Sequence, residues 1–141
     1  MGDTLWGTPS IRAVKKKFPQ VSIDLIIQPQ WIALFKNNKN ISNSIPYYSK
    51  WYRQILLLPN LLKSNYDHVL IFHANRDIAR ILPWLRTSSI WSHQYPDTLP
   101  GVSENKIIHF DKPTHGILRR IAMVERLNVS PDGTNMDIFL N

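Results

Sequence analysis

A chain of 141 residues, 43% hydrophobic and 19% charged, has the length and composition of an ordinary globular domain and not of a disordered segment. Cysteine is absent, which excludes disulfides, thiolate metal sites and thiol catalysis and fits a cytoplasmic protein. Seventeen Lys and Arg against ten Asp and Glu give a formal charge of +7, which favours polyanionic partners, while no apolar run approaches the roughly 20 residues of a membrane-spanning helix.

Thr8-Pro9 predicts a helix start, with the Thr8 hydroxyl accepting from the free amides of the first turn and proline at the first helical position. Ile11, Val14 and Phe18 recur at offsets of three and four and give one apolar face, while Arg12 and Lys15 to Lys17 occupy the polar side and the C-terminal end, where cations suit the helix dipole. Asp3 falls in the loop that feeds the positive end of this helix, where an anion is favoured. Residues 21–27 read as a strand with helix-covered faces, and residues 31–35 as one short helix after the break at Pro29. Residues 36–44 form a polar surface loop whose only packable side chain is Ile41, and residues 45–48 a short strand near a sheet edge, because Pro46 cannot donate to a ladder.

Ser49 is the expected cap of a helix over residues 50–58, with Trp51, Ile55 and Leu58 turned to the core and a basic outer face; Pro59 interrupts it before residues 60–63. The aromatics beside Lys50 and Arg53 also suit an anionic saccharide or a lipid interface. Residues 66–72 are the clearest strand, and His73 to Arg76 follow at its carboxyl end, the edge at which doubly wound sheets bind ligands, so Asn75 and Arg76 become site candidates. A helix is expected over residues 76–82, stopping at Pro83, then short strands at 88–92 and 106–110 separated by a proline-containing loop at 93–105. The last helix spans residues 114–127, with Ile117, Ile121, Val124 and Leu127 at core spacing and Arg119 and Arg120 by default on a solvated face, the alternative being that one of them faces an acceptor or a second domain. A turn at 130–133 and an extended tail at 136–140 follow.

The chemistry-bearing motifs are few. The five histidines (His68, His73, His93, His109 and His115) form no helical ligand pair, and there is no glycine-rich phosphate loop and no Gly-x-Ser-x-Gly elbow. Trp51-Tyr52-Arg53 and Trp84-Leu85-Arg86 place aromatics beside cations, but no recognised nucleic-acid motif accompanies them.

Gly2-Asp3-Thr4-Leu5, followed from Thr8 by Thr-Pro-Ser-Ile-Arg-Ala-Val-Lys-Lys-Lys-Phe-Pro, resembles the opening loop and first helix of the bacterial heptosyltransferases, the lipopolysaccharide core enzymes of glycosyltransferase family 9. The resemblance continues through the Tyr66-Asp67 strand to the late His115 helix, which ends near Leu127-Asn128-Val129. It implies an α/β fold, a Rossmann-like doubly wound parallel sheet forming the N-terminal half of a GT-B glycosyltransferase. Only Met1 stands where the family has a hydrophobic strand, so the sheet is expected to lack its first strand. Residues 1–129 then form the acceptor-side domain and residues 130–141 the start of an interdomain linker, with the C-terminal donor domain outside the chain.

The implied reaction is inverting transfer of a heptose from ADP-heptose to the phosphorylated lipid A core, with no cofactor and no obligatory metal, and the chain by itself is expected to be inactive. Asp3 corresponds to the family's general base. The acceptor-binding candidates are Thr8, Lys50, Arg53, Asn75 and Arg76, the cations among them facing acidic sugars or phosphates. The implied location is the cytoplasm, with peripheral contact at the inner face of the cytoplasmic membrane. Two other readings stand beside this one: a basic α/β module that binds a polyanion without chemistry, and a gene fragment without function.

Overall fold

The computed structural model describes residues 2–93, 99, 102–103 and 106–139. In chain order the elements are α1 (Gly2–Leu5), α2 (Thr8–Lys17), β1 (Asp24–Ile27), a 3-10 helix (Pro29–Phe35), β2 (Asn43–Pro46), α3 (Trp51–Gln54), a 3-10 turn (Ile55–Leu57), α4 (Leu58–Lys63), β3 (Asn65–Tyr66), β4 (Val69–Ile71), α5 (Arg76–Ile81), a 3-10 turn (Leu82–Trp84), β5 (Arg86–Thr87), β6 (Ile90–His93), β7 (Ile107–Ile108) and α6 (Gly116–Glu125). Most of the loop expected at 93–105 lies outside the described residues, as does Leu140 of the expected tail. The chain divides into two compact units, Met1–Tyr47 with Thr114–Asn141, and Tyr48–Pro113.

In the first unit β1 and β2 pair in parallel, Asp24 opposite Asn43 through Ile27 opposite Pro46, and the Tyr47 amide extends the pairing by donating to the Ile27 carbonyl at 2.8 Å. Pro46 sits at the end of its strand, where the missing donor costs least. Leu5, Ile27 and Phe35 form the buried core, with Leu25, Trp31, Ile32, Leu34 and Ile41 packed on it. Helix α2 packs on α6. Its buried side is Thr8 to Ile11 with Ala13, while Phe18, expected in the core, is exposed. The burial stripe has turned toward the small side chains Ser10 and Ala13, which permit close helix approach.

Helix α6 buries Arg120, Ile121, Met123 and Val124. It ends in a Schellman turn: Asn128 takes φ 58°, its amide donates to the Glu125 carbonyl at 2.9 Å, the Val129 amide donates to the Val124 carbonyl at 3.1 Å, and Val129 is buried. The chain beyond is held by Arg12. Its guanidinium meets the Asp132 carboxylate at 3.3 Å and donates to the carbonyls of Asp132 at 2.9 Å and Asn135 at 3.0 Å, and it also pairs with the Asp137 carboxylate. Lys16 adds a 2.9 Å bond to Asp132.

In the second unit the three-stranded sheet runs β4-β6-β7 and a two-stranded ladder joins β3 to β5; like the β1–β2 pair, every ladder is parallel. Parallel pairing throughout is the α/β signature that the sequence reading expects, but the strands are short and the ladders form three small sheets instead of one continuous sheet. Among the described residues β1 has β2 as its sole ladder partner, and β4 has β6 as its sole one, so each is matched by a strand on one side. Ile71, Ala74, Leu82 and Leu99 form the core of this unit.

The segment α3–α4 departs most from its expected form. Lys50, not Ser49, precedes the first helical residue, with no side-chain capping bond. Pro59 cannot donate back to the preceding turn, so the chain tightens to a 3-10 turn at Ile55–Leu57 and restarts as α4 with Pro59 in its first turn. Gln54, Leu57 and Leu61, at helical spacing of three and four, face inward, with the Gln54 amide donating to the Asp77 carbonyl at 3.2 Å, and Trp51 and Ile55 are exposed, reversing the expected core face.

Candidate functional site

In the first unit Asp3 lies in α1, a single helical turn, and not in a loop; its side chain is exposed. Trp6 and Gly7 separate that turn from α2, and Gly7, not Thr8, occupies the cap position, without a side-chain bond. Thr8 is 1% exposed, its hydroxyl donates to the Leu5 carbonyl at 2.8 Å and accepts from the Asp137 amide at 2.9 Å. Its hydroxyl therefore joins α1, α2 and the C-terminal segment. That corrects the expected cap, and it places Thr8, the acceptor-binding candidate, inside the fold with both hydroxyl partners supplied by the chain.

Asp3 is positioned by a residue that the sequence reading assigned to a solvated face. Arg120 is 5% exposed and donates to the Asp3 carbonyl at 3.1 Å and to the Gly116 carbonyl at 2.9 Å. Its guanidinium lies 5.4 Å from the centre of the Trp6 ring, which in turn sits 4.7 Å from the His115 ring at 52°. Burial pushes the Arg120 pKa down, the Asp3 carboxylate opposes that, and Arg119 adds to it; the guanidinium remains cationic at any ordinary pH. His115 caps α6, its Nδ1 accepting from the Ile117 amide at 3.3 Å. A carboxylate open to solvent, on a backbone pinned by a buried cation, has the chemistry required to take a proton from a hydroxyl.

The other four candidates lie in the second unit. Lys50, Arg53 and Arg76 are exposed, and Asn75 is half-buried. Arg53 lies 5.7 Å from the Tyr48 ring centre and Lys50 6.0 Å from that of Tyr52. The Asn75 Oδ1 caps α5 by accepting from the Ile78 amide at 2.9 Å, so this residue orients the helix that carries Arg76. Buried Gln54 donates to the Asp77 carbonyl at 3.2 Å and thereby joins α3 to α5, bringing the elements of Arg53 and Arg76 together. A shallow cavity of about 560 Å³ lies between the first 3-10 helix and β2, lined by Pro29, Ile32, Phe35, Lys36 and Ile41 among others, and none of the six candidates borders it. Among the described residues no group of three His, Asp or Glu side chains converges.

Trp6, Gln54, Gly116 and Arg120 carry structure around the candidates with no motif to mark them, and His115 is marked only by the resemblance of its helix. One signal was available: Gly116 is one of only five glycines, directly follows a histidine and opens a helix, a position that reserves space for a neighbour.

No family model matches the sequence, and no curated protein matches it. Solved structures do. A glycosyl transferase family 9 protein from Veillonella parvula superimposes with a TM-score of 0.72 at 20% identity, over 96% of this chain and 41% of its own. Escherichia coli heptosyltransferase WaaC with ADP superimposes at 0.76 and 19% identity, over 97% of this chain and 47% of its own. The same enzyme with ADP-2-deoxy-2-fluoro heptose gives 0.75 and 18%, over 97% and 48%. The mixed α/β fold, with its small parallel sheets, matches part of the GT-B fold of these glycosyltransferases. The chain spans less than half the length of each of these proteins. No described helix is long and apolar enough to cross a membrane.

Proposed function

We propose that this chain is the acceptor-side part of an inverting heptosyltransferase, acting with a donor-binding domain to move a heptose from ADP-heptose to the phosphorylated lipid A core. The observation that carries the reading is Asp3: an exposed carboxylate whose backbone carbonyl is held by buried Arg120, in a chain with the fold of such enzymes. Asp3 takes the proton of the acceptor hydroxyl as that oxygen attacks the anomeric carbon, and the bond from that carbon to the ADP oxygen breaks with its electrons leaving on ADP. The anomeric configuration inverts in the single displacement. Arg120 holds the main chain of the base without touching the reacting atoms. Lys50, Arg53 and Arg76 supply cations for acceptor phosphates or acidic sugars, and Asn75 orients the helix bearing Arg76.

The 141 residues span less than half of the matched enzymes, so turnover is expected only together with a donor-binding domain. The test joins it to the donor half of a heptosyltransferase and measures ADP release from ADP-heptose with and without lipid A core acceptor. Acceptor-dependent release that Asp3→Asn abolishes is the expected result. Release undiminished in that variant, or transfer by the 141-residue chain alone, overturns the assignment.

A further inference from the structure

We propose that the amino-terminal edge of the β4-β6-β7 sheet holds a binding site for a phosphate-class oxyanion, formed by Ser89, Ser103 and Lys106. A cavity of about 170 Å³ lies there, lined by Thr87, Ser88, Ser89, Ile90, Ser103 and Lys106. Its walls come from the two segments that lead into adjacent parallel strands, 87–89 into β6 and 103–106 into β7. The Ser89 carbonyl accepts from the Val69 amide at 2.8 Å, which fixes the first segment against β4. The Lys106 amide donates to the Ser103 carbonyl at 2.8 Å, a bond that brings those two residues together.

Unspent donors set the chemistry of the ligand. The Thr87 hydroxyl donates to the Ser89 carbonyl at 3.1 Å and accepts from the Ser89 amide at 3.2 Å, and the Ser88 hydroxyl donates to the Asp67 carbonyl at 3.0 Å, so both have partners. The Ser89 Oγ is buried with no hydrogen-bond partner, and the same holds for the Trp91 indole nitrogen, two residues on and on the same face of the strand. The Lys106 ammonium lies 4.1 Å from the centre of the Trp91 ring and, among the described residues, makes no ion pair. A buried polar group without a partner carries a desolvation cost that a ligand can return. An ammonium only donates, and hydroxyls beside it can donate with it, so their complement is an anion with several acceptor oxygens. A cation would be repelled by Lys106, and a neutral sugar would leave its charge unmatched. The site shares no residue with the acceptor candidates: His73 to Arg76 follow the carboxyl end of β4, the opposite edge of this sheet. It is also independent of the chemistry assigned to Asp3, which belongs to the other unit.

The full 141-residue chain, isotopically labelled, is titrated with sodium phosphate, with glycerol 3-phosphate and with sodium chloride at matched ionic strength, and its amide and indole signals are followed by NMR. The expected result is saturable shifts centred on the Ser89 and Lys106 amides and the Trp91 indole, with a Kd on the order of 1 mM for a phosphate ligand and no saturation in chloride. The tighter of the two phosphate ligands names the source, free phosphate or a phosphate monoester. Lys106→Gln weakens binding about tenfold and Ser89→Ala about fivefold, while Lys106→Arg retains it. Signals from residues outside the cavity report that each variant is folded, and Ser89→Ala, which removes a single oxygen, carries the test alone if Lys106→Gln unfolds. The proposal is overturned by the absence of saturable shifts, by equal shifts in chloride, by shifts centred instead on Lys50, Arg53 and Arg76, or by undiminished binding in the folded Gln and Ala variants.

Discussion

Gly116→Ala adds one methyl group against the support of the candidate base. An ideal Cβ at this position stands 2.2 Å from Trp6 Cε3, 2.5 Å from Cζ3 and 2.8 Å from Arg120 Nη1, where ordinary carbon contacts begin at about 3.5 Å. The guanidinium end can shift, but the Trp6 ring, stacked near His115, must leave its seat or push α6 away. Overpacking of this kind costs about 1–3 kcal/mol, and replacing a helical glycine returns at most about 1 kcal/mol. A net loss of about 1–2 kcal/mol is expected, read as a lower urea midpoint with an altered tryptophan emission spectrum. The decisive comparison uses Trp6→Ala as background: with the ring gone, Gly116→Ala becomes neutral or slightly stabilising, and the cycle returns a coupling of about 1–3 kcal/mol. An equal penalty in both backgrounds, or stabilisation of the wild-type protein by Gly116→Ala, refutes the claim that this glycine seats Trp6 over Arg120.

Arg12→Ala removes the side chain that holds residues 132–137, and about 2 kcal/mol is the expected loss after allowing for its partial exposure; amide exchange at Asp137 accelerates in parallel. Leu61→Ala, at a position 0% exposed, lowers stability by about 2–5 kcal/mol in urea titration. Asn75→Ala uncaps α5 at a cost of about 1 kcal/mol, visible as faster amide exchange in the first turn of that helix. The bond from Lys16, then its charge, and then Arg12 hold the Asp132 carboxyl below the usual carboxylate range, so its folded-state pKa is depressed. Its contribution is therefore complete above the unfolded-state pKa and is lost as pH falls through the folded-state value. Thermal melts of the wild type below about pH 4 should lose more stability than those of Asp132→Asn.

Elements with one dominant local cause were legible in the sequence. The Pro29–Phe35 helix, the strand at Ile45-Pro46, the β4 strand and the position of α6 follow from proline placement, apolar runs and periodicity, and the structure has each near its expected place. What failed depended on partners distant in sequence. No local pattern ties the turn expected at 130–133 to Arg12, some 120 residues earlier, whose guanidinium holds Asp132. Thr8 has the composition of a cap, yet its hydroxyl bonds Leu5 and Asp137, so Gly7 is left at the cap position. Arg120 sits on a stretch that reads as solvated, but Trp6 and the Asp3 carbonyl receive it inside the fold. The α3–α4 face differs for another reason: Gln54, Leu57 and Leu61 have the same helical spacing as Trp51, Ile55 and Leu58, and the bond from Gln54 to the Asp77 carbonyl, 23 residues on, draws the polar member of that set inward. Asp3 is a candidate base by resemblance alone, since nothing in its spacing separates a base from a charge at a helix start.

The unmatched side of β1 bears on handling the protein as much as on its chemistry. A two-stranded ladder is marginal by itself, and an unmatched row of amides and carbonyls is a template for strand addition by another molecule. Pro46 acts as a gatekeeper on β2, where its ring interrupts any row of donors. β1 has only Asp24 in that role, ahead of Leu25, Ile26 and Ile27. Self-association in concentrated samples should therefore begin at this strand. Replacing half-buried Ile26 with lysine, a charge of the kind that guards natural edge strands, should raise the concentration at which light scattering appears.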